Sequence, residues 1–277
     1  MKKVYTLGEK HSFHDIVARY VYGEESDFGR CQSFEEIVHS VEKDKNASGV
    51  LAMENAIVGC FLPNYMLVKN SGLNIDREIV LPIQLALWVH PNHAETMPEQ
   101  IFSHAIALRQ CSGYLSTIPE VEEHAVTDTS TAVRIVADAP EKNLGAIAGL
   151  EAGKSLGLVP LKLNVQNRES AWTRFVVLSH SHDEGFTLPV NKVSWFIRAK
   201  DESGELLAIL GHLKTINIRK IQSVPDYEVE GYHGFIIDFE IRPEQTEELQ
   251  TIKEKIKLHC QELRELGIYN SQRHGEN

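Results

Sequence analysis

Apolar positions recur along the chain with two distinct periods. Phe13, Ile16, Val17 and Tyr20, then Phe34, Ile37, Val38 and Val41, fall at helical spacing and predict two amphipathic helices. Residues 4–7 before them and 49–53 after them are short apolar runs that read as strands, the second delivering Glu54 and Asn55 at its C-terminal end. In open α/β sheets that edge is where ligands gather. The stretch 79–90 is apolar and β-capable and predicts a crossing into a second lobe. A strand over 101–105 and a helix over 106–114 follow it. Asp128-Thr-Ser-Thr131 supplies polar caps for the next helix, whose N-terminal N–H groups can meet a carboxylate. Residues 4–53 thus follow a strand-helix-helix-strand rhythm typical of α/β packing, and strands over 145–148 and 175–178 come later.

Residues 180–189 are rich in Ser, His, Asp, Gly and Pro and read as a linker. Beyond it the pattern changes. Val193, Trp195, Ile197 and Ala199 alternate as in a strand; Leu206, Leu210 and Leu213 are helical; 215–224 is a second strand; Phe235, Ile237, Phe239 and Ile241 alternate again. Leu249, Ile252, Ile256, Cys260 and Leu263 form one stripe of a long charged helix, with a last strand near Ile268. This βαββαβ order fits a ferredoxin-like unit.

A chain of 277 residues divides comfortably into one domain near 180 residues and another near 90. The formal net charge of −11 argues against a nucleic-acid partner and an acidic membrane surface. It also means that an anionic substrate needs a local positive site within an acidic molecule. Cys31, Cys60, Cys111 and Cys260 have no CxxC spacing, so neither a disulfide framework nor a zinc site is expected, and a reducing cytoplasm is the default. The N-terminus turns polar by Gly8, without the apolar core of a signal peptide, and no apolar run is long enough to span a membrane.

The densest candidate chemistry is Trp172-Thr173-Arg174 at the mouth of the 175–178 strand, where a hydroxyl beside a guanidinium can donate to an anionic substrate. Ser103 and Gln110 are seven positions apart, about two helical turns, and can share a site if the chain bends at the helix start. Other motifs fall away. Gly149-Leu-Glu-Ala-Gly153-Lys154-Ser155 has three residues between its glycines where a phosphate loop needs four, and close helix packing explains it better. His180-Ser-His182 has no further ligand at metal spacing, and Cys111 on an apolar helix face reads as packing.

Taken in order, Glu54-Asn55-Ala56, Ser103-His104 with Gln110-Cys111, and Thr173-Arg174-Phe175 resemble the prephenate dehydratase family over nearly the whole chain. That family's pattern is Glu-Asn-Ser, then Ser-His with Gln-Cys, then Thr-Arg-Phe, followed by an ACT domain. The resemblance implies a two-lobed, periplasmic-binding-protein-like α/β catalytic domain over 1–182 and a ferredoxin-like ACT regulatory domain over 190–277. It implies decarboxylative dehydration of prephenate to phenylpyruvate, with no cofactor and no metal. Thr173 would hydrogen-bond the departing hydroxyl, with Glu54, Asn55, Ser103 and Gln110 completing the catalytic set. Arg174, Phe175, Ser12 and Thr131 would bind substrate, although Arg174 could equally support the Thr173 backbone and Glu54, a carboxylate beside a dianion, could be structural. Arogenate is an alternative substrate that no residue of the sequence separates from prephenate, and a non-catalytic two-lobed sensor of aromatic or amino acids is the rival from another class.

The sequence departs from the family in four places. Gly8-Glu9-Lys10-His11-Ser12 replaces Gly-Pro-x-Gly-Thr, and Ala56 replaces a serine. In the regulatory half the effector site is implied at Gly204, Leu206, Gln222, Ser223 and Pro225, where Gly204-Glu205-Leu206 replaces Gly-Ala-Leu and Gln222-Ser223-Val224-Pro225 replaces Glu-Ser-Arg-Pro. An amino-acid effector would lose its ionic contacts there, so weak phenylalanine feedback is expected. A homodimer or homotetramer is expected too, because ACT units pair and the sheet edges near 192–200 need cover.

Overall fold

The computed structural model describes residues 2–180, 189–225 and 233–275. Lobe one opens with β1 (Lys3–Leu7), α1 (Phe13–Tyr22), β2 (Asp27–Cys31), α2 (Phe34–Lys43), β3 (Ala47–Asn55), β4 (Gly59–Cys60), α3 (Leu62–Asn70) and β5 (Asn74–Pro82). Lobe two contains β6 (Leu85–Val89), β7 (Gln100–His104), α4 (Ala105–Gln110), α5 (Ser112–Leu115), β8 (Glu122–Val126), α6 (Thr129–Ala137), β9 (Leu144–Gly149), α7 (Leu150–Ser155) and β10 (Val159–Leu163). The chain then returns to lobe one as β11 (Trp172–Ser179). The C-terminal unit is β12 (Lys192–Ala199), α8 (Glu205–His212), β13 (Asn217–Pro225), β14 (His233–Glu240), α9 (Thr246–Lys257) and β15 (Cys260–Arg273).

Lobe two has its own sheet, ordered β10-β6-β9-β7-β8. Lobe one and the C-terminal unit share a continuous sheet, β13-β14-β12-β15-β5-β11-β3-β1-β2, because β15 outlasts its own sheet and pairs in parallel with β5 from Asn270 to Arg273. The close approach requires Gly267, where a Cβ would lie 2.3 Å from the Ile75 carbonyl oxygen. One face of the C-terminal sheet packs on α8 and α9 through Val193, Trp195, Ile197, Ile237 and Phe239. The other face, carrying Phe196, Val224 and Ile236, shares a core with Tyr65 and Val68 of α3.

Local signals account for several helix starts. Ser12 and Ser33 cap α1 and α2 by accepting from the N–H groups of Asp15 and Glu36. On α1 the buried apolar residues are Val17, Ala18 and Val21, while Tyr20, placed on the apolar face by spacing, is exposed. Gly153 lets α7 sit on Trp88: a Cβ there would lie 2.1 Å from the indole, which is the close packing anticipated for that glycine-containing stretch.

Other expectations need correcting. β2 breaks the anticipated strand-helix-helix-strand rhythm; edge-placed, with Cys31 its one buried residue, it carries no apolar alternation to reveal it. The helix expected over 106–114 is interrupted at Cys111, whose backbone leaves helical geometry. The stripe extended through Cys260 and Leu263 is not one helix: α9 ends at Lys257, and both residues belong to β15, paired to Ala199 and Ile197. Among the described residues β13 is the edge of the sheet in the C-terminal unit, and β12, expected as an edge at 192–200, is interior between β14 and β15. Residues 181–188 of the expected linker, with His182, lie outside the described residues.

Candidate active site

Two neighbouring strands of lobe one, β3 and β11, carry the candidate chemistry, and their register decides which side chains meet. Thr173 pairs with Asn55 and Arg174 with Glu54, but Phe175 pairs with Ala52, so Met53 is an extra residue in β3. This bulge reverses the alternation. Val50 and Ala52 face the core toward lobe two, and Leu51 and Met53 face the opposite side. After the bulge Glu54 stays on that opposite side and Asn55 turns toward lobe two.

The side chains of Asn55, Thr173 and Gln110 form one buried cluster. Asn55 Oδ1 accepts from the backbone N–H groups of Ile57 (3.0 Å) and Val58 (3.2 Å), which fixes the orientation of the amide. Its Nδ2 therefore donates to Thr173 Oγ1 at 2.9 Å and to the Trp172 carbonyl at 3.3 Å. Gln110 Nε2 donates to Asn55 Oδ1 at 2.9 Å, which brings lobe two into the same network. Among the described residues the Thr173 hydroxyl accepts and does not donate, so its proton is available to a bound molecule.

The cluster opens into an interlobe cleft of about 190 Å³. Its walls are largely apolar, with Leu7, Phe13, Phe34, Phe61, Ile83, Ile106 and Phe175 contributing. Ser12, His14, His104, Thr127, Asp128 and Thr129 add polar groups. Three helix N-termini reach the cleft: Ser12 caps α1, His104 caps α4 through Nδ1, and Asp128 caps α6. Among the described residues no lysine or arginine lines it, contrary to the expectation of a fixed positive site. Both histidines are held neutral. Burial, and then the nearby His104, lowers His14 to about 3, and burial lowers His104 against a smaller opposing pull from Asp128. The positive ends of the helix dipoles are the remaining attraction for an anion.

A larger cavity of about 430 Å³ lies elsewhere, at one end of the C-terminal sheet beside Lys192, Asn217, Glu240 and Arg242. Its polar groups largely satisfy one another: Asn217 donates to Glu240, Gln245 to the Thr215 carbonyl and Asn191 to that of Ser271. The interlobe cleft, with its uncommitted hydroxyl, is the stronger candidate despite its smaller volume.

Several residues expected in the site lie elsewhere. Arg174 points away from the cleft and is 4% exposed. It forms ion pairs with Glu78, with Asp238 at 2.7 Å and with Glu54 at 3.4 Å, and donates to the hydroxyls of Tyr65 and Tyr269. Glu54 is on the same far side, where Lys220 approaches at 2.9 Å. Ser103 is fully buried and donates to the Ile147 carbonyl at 2.6 Å, tying β7 to β9. Thr131 donates to Asp128 at 3.0 Å, and Asp128 also takes the N–H groups of Ser130 and Thr131 that were expected to meet a ligand carboxylate. Ser12 and Phe175 do line the cleft.

His14, His104, Thr127 and Asp128 were missed as cleft residues. Asp128 carried a sequence signal as a cap and His104 as a member of the Ser103-His104 motif; His14 and Thr127 depend on the approach of the two lobes. His11, at the position of the family's second glycine, has a left-handed φ of 68°, and its N–H donates to Asp15 at 2.8 Å.

In the C-terminal unit Gly204 has φ 95° at the start of α8 and Leu206 is half-buried. Gln222 donates to the Ser223 carbonyl of its own strand, Val224 is buried, and Pro225 ends β13. Among the described residues no cluster of His, Cys, Asp and Glu is arranged to hold a metal ion, and no helix is long and apolar enough to cross a membrane.

The sequence profile of the prephenate dehydratase family matches residues 4–183, and the chain belongs to that family. It is 27% identical to the prephenate dehydratase of Bacillus subtilis, over 97% of this chain and 99% of that one. It is 30% identical to the Methanocaldococcus jannaschii prephenate dehydratase, over 86% of each chain. A crystal structure of the Arthrobacter aurescens prephenate dehydratase in complex with L-Phe superposes with a TM-score of 0.84 at 20% identity, covering 97% of this chain and 89% of that one. This last likeness speaks to the fold, which is a two-lobed α/β unit followed by a ferredoxin-like one.

Proposed function

We propose that the protein is a prephenate dehydratase, a carbon–oxygen lyase that converts prephenate to phenylpyruvate in phenylalanine biosynthesis. Family membership supports the reaction class. The observation that carries it to this site is the direction of the Asn55–Thr173 hydrogen bond, which leaves the Thr173 proton facing the cleft.

In this reaction the bond to the departing carboxylate gives its electron pair to the ring, and the bond to the ring hydroxyl carries a pair away. One proton joins the leaving hydroxide, and carbon dioxide and water are released. Aromatisation supplies the driving force, so the protein must orient the substrate and help hydroxide leave. Thr173 is a poor Brønsted acid, and its role is that of a hydrogen-bond donor to developing charge and a relay for that proton. Asn55 holds the threonine rotamer, and Gln110 buttresses Asn55 from lobe two. The positive N-terminal ends of α1 and α4 attract the carboxylates, and Phe13, Phe34 and Phe175 pack on the ring.

Incubating the purified chain with prephenate and following phenylpyruvate absorbance tests the assignment. Binding of prephenate without turnover by a folded protein would refute it in favour of a sensor. One observation favours arogenate as a second substrate: Asp128 is the charged side chain lining the cleft, and a carboxylate suits an ammonium better than a keto group. A parallel assay with arogenate decides.

We further propose that the unit over 190–277 is an ACT regulatory domain, separate from a catalytic domain over 1–182, in a cytoplasmic homodimer or homotetramer. The open edge of β13, with exposed Ile221 on that strand and exposed Leu207 on α8, supports self-association. Light scattering that shows only monomer at assay concentration would contradict it.

A further inference from the structure

We propose that Arg174 and Glu54 are positioning residues through which the C-terminal unit, by Asp238 and Lys220, sets the geometry of Asn55 and Thr173. The inference rests on the reading of Asn55 and Thr173 as the reacting end of the cleft.

Each site dipeptide is split across the sheet. In Glu54-Asn55 and Thr173-Arg174 one member faces the cleft and its neighbour faces the C-terminal unit, and the two dipeptides pair with each other in register. On the far side Glu54, Glu78 and Asp238 meet Arg174, Lys192 and Lys220, three carboxylates against three cations. Asp238, Lys192 and Lys220 come from the C-terminal sheet, and Lys192 reaches Glu78 at 2.6 Å. Ser194 donates to Asp238 at 2.6 Å, and the Tyr269 hydroxyl donates to Glu78 at 3.4 Å. Lys220 also lies over the Tyr65 ring at 5.1 Å.

Buried charges tolerate little displacement, because a carboxylate or guanidinium that loses its partner has no water to replace it. The Arg174 guanidinium therefore anchors the peptide it shares with Thr173. Glu54 likewise anchors Asn55, whose Nδ2 must stay 2.9 Å from Thr173 Oγ1. If Lys220 or Asp238 is neutralised, the remaining charges shift to rehydrate and carry both strands with them. The C-terminal unit is then part of the active-site scaffold in addition to its regulatory role.

The test uses the full chain with K220M, D238N and K220R, with wild type and T173A as references. The readouts are prephenate turnover and hydrogen–deuterium exchange of peptides spanning 50–58 and 170–176. A displacement near 1 Å can cost up to about 100-fold in rate. K220M and D238N are expected to lower kcat by roughly 10–100-fold with KM changed less than about threefold, and to raise exchange in both peptides. K220R should restore most of the rate, which general destabilisation of the fold does not predict. Folded K220M with wild-type kcat and wild-type exchange overturns the inference. If D238N fails to fold, K220M carries the test, because Lys220 sits at the partly solvated rim of the network. A wild type inactive on prephenate refutes the functional reading instead, and the exchange of K220M still decides whether the two units are coupled.

Discussion

Replacing Asn55 by aspartate should silence the site without dismantling it. The substitution is isosteric, and an aspartate oxygen can still accept from Ile57 N, Val58 N and Gln110 Nε2, as Asn55 Oδ1 does. What changes is the other terminal atom. Nδ2 now donates to Thr173 Oγ1 at 2.9 Å, and a carboxylate oxygen in its place can only accept. The Thr173 hydroxyl would turn and donate to it, taking its proton away from the cleft. A hydrogen bond to a charged acceptor is worth about 1.5–3 kcal/mol, and that bond must break before Thr173 can serve the leaving hydroxyl. At about 1.4 kcal/mol per tenfold in rate, kcat should fall roughly 10–150-fold. The donated bond to the Trp172 carbonyl at 3.3 Å is also lost, a smaller structural cost. The assay is phenylpyruvate formation at saturating prephenate, so that repulsion between the new charge and the dianion appears in KM and not in kcat. T173A should show a comparable loss of tenfold or more, the scale of a missing transition-state donor. Lowering the pH should partly restore the N55D rate by protonating the introduced carboxyl. A folded N55D with kcat within about threefold of wild type would refute the donor role assigned to Thr173.

Phenylalanine should inhibit the enzyme weakly or not at all, because Gln222 is bonded within its own strand and Val224 is buried beside Phe196 and Ile236 rather than offering charge; strong inhibition at micromolar phenylalanine in the prephenate assay would overturn this. Stability should fall on acidification. Burial and His104 hold His14 at about 3 in the folded chain, below its usual 6.5, so between those values the unfolded chain binds more protons. Stability then drops by up to about 1.4 kcal/mol per pH unit through that window. Glu78 adds a second loss lower down: burial would raise it, but Arg174 and Lys192 hold it at about 2, and that contribution disappears as the pH falls from 4.5 toward 2. Urea unfolding at pH 7, 6 and 5 should show the slope in wild type and a flatter one in H14N, and equal slopes would exclude His14 as its source.

The sequence by itself determined the order of elements and the class of site. Helical and alternating apolar spacing placed α1, α2, β3, β11 and the βαββαβ unit, because burying one face is a local requirement written in the period of the residues. It failed at β2, which has little to bury, and at the end of α9, where Cys260 and Leu263 keep the helical period while strand pairing to β12 decides their conformation. The motif pairs Glu54-Asn55 and Thr173-Arg174 were legible as chemistry. Which member of each pair enters the cleft was not. Adjacent residues of a strand point to opposite faces, so at most one of each pair can face the substrate. For Glu54 and Asn55 the choice is made by the extra residue Met53, which inverts the facing of all that follows it in β3. No local property of the Met53 side chain announces that bulge; it exists because β11 and β3 must align in one register while β3 also turns into β4. The network around Arg174 was equally hidden, since its partners lie 96 and 120 positions away at Glu78 and Glu54, and in the C-terminal unit at Asp238. Only packing the C-terminal sheet against α3 brings those charges out of water together, and a carboxylate on an exposed face reads the same in sequence as one that is buried and paired.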